Sequence, residues 1–136
     1  FVNLDSISAG DRAYVYSQED AGSAAREEAI DWATSHDYDL RTVRNVDLSD
    51  EDGYATADYG AFERAGIPWL YFEATNWELG DRDGYTQVDP RYGDDGAIIH
   101  TEYDDLEYLD QVFPGRVDAR LDLFVSVLCA LLTGYR

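Results

Sequence analysis

The chain passes from helix to strand within a few residues at Tyr59-Gly60-Ala61-Phe62-Glu63-Arg64-Ala65-Gly66-Ile67-Pro68, and this joint constrains the fold most. Tyr59–Ala65 reads as a short helix, Gly66 as its left-handed C-cap and Pro68 as a stop that prevents continuation. Trp69–Ala74 then reads as a strong aromatic strand. A helix delivered into a buried strand is the repeating step of layered α/β architecture.

The rest of the chain supports that reading. Phe1–Ile7 and Ala13–Tyr16 have strand character, and the Gly10-Asp11 turn between them predicts a hairpin. Ser23–Ser35 has helical apolar spacing in Ala25, Ala29, Trp32 and Ala33, with Ser23 as a candidate cap. Leu40–Val46 is a third strand, and Asp47–Gly53 an acidic loop. Asn76–Gly96 is a long polar loop, of a length that compact domains keep for function or motion. Ala97–Ile99 is a brief strand and Asp104–Phe113 a helix broken by Pro114-Gly115. Val117–Leu132 closes the chain as a helix with apolar residues on more than one face. The expected fold is α/β: a partial three-layer α/β/α domain, with a mixed β-sheet and the C-terminal helix packed on it.

With 29 acidic residues against 10 basic ones and a net charge of −19, the chain does not suit nucleic acid, whose phosphates need a basic surface. The basic residues are all arginine. A hydrophobic content of 45% in 136 residues is enough for one folded domain. The single cysteine, Cys129, excludes an internal disulfide and an all-cysteine metal site. Its apolar setting in Leu121–Leu132 predicts a buried, inert thiol, and that run of about a dozen residues is too short to span a bilayer. No signal peptide is visible, and a start at Phe1 inside a strand-like run reads as a fragment or a processed product.

Only two histidines occur. His36, in Ser35-His36-Asp37, reads as an exposed residue at a helix C-terminus. His100, in Ile98-Ile99-His100-Thr101-Glu102-Tyr103-Asp104, has a hydroxyl and a carboxylate close behind it. Taken alone, the heptapeptide suits either a loop histidine or an oriented metal ligand. Asn3-Leu4-Asp5-Ser6 puts a carboxylate at the C-terminal end of a strand, where open α/β sheets carry their sites.

In order and spacing, Asp5, Tyr59–Pro68, Phe72-Glu73-Ala74-Thr75-Asn76-Trp77 and His100-Thr101-x-x-Asp104 resemble the C-terminal half of the co-catalytic two-zinc exopeptidases. That family includes bacterial leucyl aminopeptidases, glutamate carboxypeptidases and the transferrin receptor ectodomain. The likeness is strongest to the bacterial alkaline-phosphatase-isozyme-converting aminopeptidases, through Ala65-Gly66-Ile67-Pro68, Phe72–Trp77 and Asp83-Gly84-Tyr85-Thr86. The resemblance covers almost the whole chain.

The resemblance implies that Asp5 is a terminal ligand of one zinc and His100 the last histidine ligand of the other. Asp104 matches the acidic position after that histidine, in a supporting role. Ala57-Asp58-Tyr59 stands where such enzymes carry Ser-Asp-His, so only Asp58 matches. Glu73 and Trp77 fall where the family shapes its substrate pocket. The family's His-x-Asp histidine, bridging aspartate and Glu-Glu pair have no counterpart here. Glu27-Glu28 follows Asp5 in the chain and reads as a solvated mid-helix pair.

The implied protein is therefore a zinc-dependent aminopeptidase acting on N-terminal residues of peptides, with residues 1–136 forming the C-terminal portion of its domain. The isolated chain, with one ligand per zinc and no general base, is expected to be inactive and to leave zinc unbound or weakly bound. The resemblance further implies a secreted or cell-envelope location. Truncation is expected to leave a sheet edge that either self-associates or is covered by the Asn76–Gly96 loop or a terminus. The alternative is a non-catalytic binding domain of the same fold. Two acidic clusters could bind calcium: Asp47, Asp50, Glu51 and Asp52, and then Asp81, Asp83, Asp89, Asp94 and Asp95. Neither has the alternation of an EF-hand loop. A Gly-x-Ser-x-Gly nucleophile elbow and a phosphate-binding glycine loop are absent from the sequence.

Overall fold

A computed structural model describes residues 1–20, 22–44, 57–76 and 98–134. Its sheet is mixed and four-stranded, made of β1 (Val2–Leu4), β2 (Arg12–Ser17), β3 (Leu40–Arg41) and β4 (Leu70–Thr75) in the order β1-β4-β2-β3. The helices are α1 (Ser23–Ser35), α2 (Tyr59–Arg64), α3 (Leu106–Val112) and α4 (Arg116–Thr133). The expected α/β class and the closing helix are both present.

The expected hairpin between the first two strands is not. β4 lies between them, parallel to β1 (Leu4 opposite Phe72) and antiparallel to β2 (Arg12 opposite Thr75). Gly10 marks a crossing rather than a tight turn: a Cβ there would sit 2.1 Å from the Ala74 carbonyl carbon. The segment joining β1 to β2 thus arches over the end of β4, and only a residue without a side chain lets the two backbones approach. Helix α4 pins the arch from outside. Arg116 donates to the Ala9 carbonyl at 3.1 Å, and Arg120 donates to the carbonyls of Gly10 and Asp11. Burial of Arg120 lowers its pKa, opposed by the charges of Asp11 and Asp39.

β2, α1 and β3 form a crossover unit, with β3 parallel to β2. Helix α1 has the limits expected from the sequence and buries Ala29 and Ala33 against the sheet. Its cap differs, because Gly22 holds the N-cap position and no side chain caps the first turn. Among the described residues the third strand covers Leu40–Arg41, with residues 42–44 of the expected Leu40–Val46 outside it, and Ile98 and Ile99 lie outside any strand. Gly66 takes the left-handed conformation expected of a C-cap, with φ of 69°.

Strand alternation sends two different sets of side chains to the two faces of the sheet. Ala13, Val15, Leu70, Phe72 and Ala74 pack with Ala29 and Ala33 of α1 and with Leu123, Phe124 and Val127 of α4. Tyr14, Tyr16 and Tyr71 go to the other face, where Trp69 and Tyr59 of α2 join them. A third cluster, of Ala9, Ile98 and Leu109, ties the arch to α3. Cys129 is exposed on α4, contrary to the buried thiol expected. The buried stripe of α4 runs through Leu123, Phe124, Val127 and Ala130, and Cys129 falls between its rows.

Candidate functional site

Asp5 lies one residue beyond β1, where its amide donates to the Phe72 carbonyl at 3.1 Å and extends the parallel ladder. Since Leu4 is opposite Phe72, this register sets Asp5 beside Glu73, with neighbouring strands about 4.8 Å apart. One step earlier, Asn3 is opposite Tyr71. Asn3, Asp5, Tyr71 and Glu73 therefore share the face that carries the phenols. Asp5 itself is exposed, and the Ser6 hydroxyl donates to its Oδ1 at 3.3 Å.

Glu73 is recessed on this face without being sealed from solvent. Tyr16 donates its hydroxyl to Oε1 and Tyr71 donates to Oε2, each at 2.8 Å. Burial raises the pKa of Glu73; the two phenol bonds oppose that rise, and the nearby charge of Asp5 adds to it. Burial and then the Glu73 charge push the Tyr71 phenol far up, so it stays a hydrogen-bond donor. Tyr59 stacks on Trp69 with ring centroids 4.0 Å apart and meets Tyr71 at 5.3 Å. Asn3 is only 8% exposed, yet its Nδ2 has no hydrogen-bond partner among the described residues.

His100 sits on a separate turn after Ile98. Ile98 is fully buried against Ala9 and Leu109, which fixes the base of the turn that carries the histidine. The Thr101 hydroxyl and amide both donate to the Ile98 carbonyl, at 2.6 and 3.1 Å. His100 is exposed and adopts φ of 62°. Ser6, directly after Asp5, has φ of 49°. Such left-handed backbone is uncommon outside glycine and gathers at functional sites. Here it flanks one candidate ligand and coincides with the other.

The remaining candidates fare differently. Asp58 is exposed at the N-terminus of α2 and its side chain makes no capping bond. Asp104 is exposed, and its amide donates to the Thr101 carbonyl, which closes the turn behind His100. The cap of α3 is Asp105, whose side chain accepts from the Tyr108 amide at 3.0 Å. Trp77 and both acidic clusters considered for calcium lie outside the described residues. His36 stacks on Trp32 at 4.0 Å at the end of α1, the surface position expected of it. Sequence reasoning missed Asn3, Tyr16 and Tyr71. The i, i+2 spacing of Tyr71 and Glu73 was the available signal, but the register that adds Asn3 and Tyr16 is not written in the sequence.

A model of peptidase family M28 matches residues 1–124. The chain belongs to peptidase family M28. This M28 chain is 31% identical over 138 residues to the alkaline phosphatase isozyme conversion protein of Escherichia coli (strain K12). That match covers 96% of the chain and 40% of the relative, so the chain spans about two fifths of the curated relative's length. No solved structure matches it. The M28 match takes in Asp5, Asp58, Glu73, His100 and Asp104 together.

The donor types on this M28 chain fit zinc. Asp5 offers carboxylate oxygen and His100 imidazole nitrogen, both on exposed side chains. Their number does not complete a site: among the described residues no three His, Cys, Asp or Glu side chains gather to hold a metal ion. No described helix is long and apolar enough to cross a membrane.

Proposed function

We propose that this chain is the C-terminal portion of a zinc-dependent aminopeptidase that removes N-terminal residues from peptides. The observation that carries the proposal is the M28 match over residues 1–124, which includes a strand-end carboxylate at Asp5 and a strained histidine at His100. In this reading Asp5 would hold one zinc and His100 the other, with further ligands and the general base supplied by upstream sequence. Zinc, when bound, supplies Lewis acidity toward the scissile carbonyl and toward water.

The chain's own residues then orient and enclose. The Ile98–Thr101 turn aims His100, while the ladder bond to Phe72 fixes the backbone of Asp5. Asp104 braces the turn through its backbone, and Asp58 starts the helix that brings Tyr59 to the phenolic face. Trp77 belongs to the substrate side of the reading, while Glu73 stands on the strand beside Asp5.

The test compares this 136-residue chain with the full-length protein on aminoacyl-nitroanilides in the presence of zinc. The expected result is hydrolysis by the full-length protein alone, abolished by Asp5→Ala or His100→Ala. Turnover by the isolated chain would overturn the division of the site between its two portions. The reading also includes self-association of the isolated chain through β1, an edge strand with Phe1, Val2 and Leu4 exposed. Sedimentation over a concentration series reads it directly.

A further inference from the structure

Resting on the zinc reading of Asp5, we propose that Glu73 is a positioning residue for that zinc: its carboxylate, held by Tyr16 and Tyr71 on the strand beside Asp5, strengthens metal binding without touching the metal. Three observations carry this. The register of β1 and β4 sets Asp5 and Glu73 side by side on one face. Two phenols grip the two oxygens of Glu73 separately, at 2.8 Å each, so the group is fixed in place rather than free to swing toward a substrate. Asn3, on the same face and nine-tenths buried, keeps an amide donor that is unpartnered among the described residues, which marks this stretch of sheet as built around polar groups rather than packed as core.

The physical argument concerns like charges. Two carboxylates on adjacent strands repel, and a core that needed only packing would carry an apolar side chain at residue 73. A cation at Asp5 turns that repulsion into attraction toward both groups. Because both oxygens of Glu73 already accept phenol bonds, its contribution reaches the metal through space and through the orientation of Asp5. Outer groups of this kind commonly alter metal affinity by about 10–100-fold.

The experiment measures zinc affinity of the full-length protein and its variants by competition with a chromophoric chelator, and records thermal melting of each metal-free form. Glu73→Gln keeps the shape and one phenol bond, at its amide oxygen, while it removes the charge and leaves the other phenol facing an amide donor. The expected result is about tenfold weaker zinc binding, with metal-free melting unchanged or higher. Tyr71→Phe, which loosens one oxygen of Glu73, should weaken binding in the same direction by less, and it serves as the second variant where Glu73→Gln does not fold. Unchanged zinc affinity in the folded variants, whatever happens to melting, overturns the proposal and leaves Glu73 a structural residue. Asp5→Asn separates the two levels of inference. If it weakens zinc binding while Glu73→Gln does not, only the role of Glu73 falls; if Asp5→Asn has no effect either, the zinc reading of Asp5 falls with it.

Discussion

The two faces of the sheet are built from alternate residues of the same two strands, yet they have opposite chemistry. Toward α1 and α4, β2 and β4 present Ala13, Val15, Leu70, Phe72 and Ala74, a dry apolar layer. Toward α2 they present Tyr14, Tyr16, Tyr71 and Glu73, where every hydroxyl bond to Glu73 must be kept in a recessed setting. The difference separates the work of the two layers. The apolar face supplies stability through buried area, and the phenolic face trades some of it for placed polar groups beside Asp5.

The largest effect expected breaks the apolar face. Phe72 is fully buried and meets Phe124 edge-on, with centroids 5.9 Å apart. Phe72→Ala should cost about 3–5 kcal/mol, the usual range for such a truncation, read by urea unfolding followed by circular dichroism. A loss below about 1 kcal/mol would mean that this layer is not the core. Gly10→Ala comes next. Its new Cβ would press on the Ala74 carbonyl from 2.1 Å, so the arch or β4 must move as backbone. Overpacking of this kind costs about 1–3 kcal/mol or more, and the same unfolding experiment detects it.

How much of this was legible in the sequence follows from the same contrast. Helix limits were readable where local chemistry sets them: α1 ends as expected, and Gly66 caps α2 because a left-handed residue there suits glycine. Strand pairing was not. Gly10-Asp11 carries a turn signal, but the insertion of β4 between β1 and β2 depends on contacts some 60 residues apart in sequence, as in the pairing of Arg12 with Thr75. Asp5 and His100 were found by resemblance, and their left-handed surroundings emerge only from the backbone. Arg26 was wholly hidden: nothing in the helical spacing marks it, yet it is 1% exposed, with Glu19 accepting from both of its terminal nitrogens at 2.9 and 3.2 Å. Cys129 misled in the other direction, since an apolar neighbourhood in sequence does not say which way one helical position points.

A smaller effect sharpens the phenolic face. Tyr16→Phe removes one donor from Glu73 while keeping the ring stacked beside Tyr14 and Tyr71. Bonds to charged groups are worth about 1.5–3 kcal/mol, and partial access of water to Glu73 puts the expected loss near the bottom of that range. The double variant with Tyr71→Phe should depart from additivity, because both hydroxyls serve one carboxylate. Additive losses would mean that the two phenols act independently of Glu73.

The smallest effect compares two carboxylates with opposite shifts. Asp39, beside β3, has its pKa lowered, first by the hydrogen bonds from Arg41, so the ionised form is favoured in the folded state. Its contribution is therefore present above the unfolded value of about 3.9 and is lost as pH falls through the lower folded value. Asp39 is largely exposed, so solvent screening holds the effect under about 1 kcal/mol. Asp39→Asn should be slightly less stable than the parent at neutral pH, with the gap closing in acid. Glu73 has its pKa raised, chiefly by burial, and the sign reverses. Stability linked to its protonated form is complete below the unfolded value of about 4.3 and declines as pH rises through the higher folded value. Glu73→Gln should therefore gain on the parent with rising pH, just where Asp39→Asn loses. Melting curves of the metal-free proteins from acid to neutral pH test both signs at once. Parallel curves for the two variants would mean that the phenolic face imposes no penalty on its carboxylate, and the electrical contrast between the two regions would be gone.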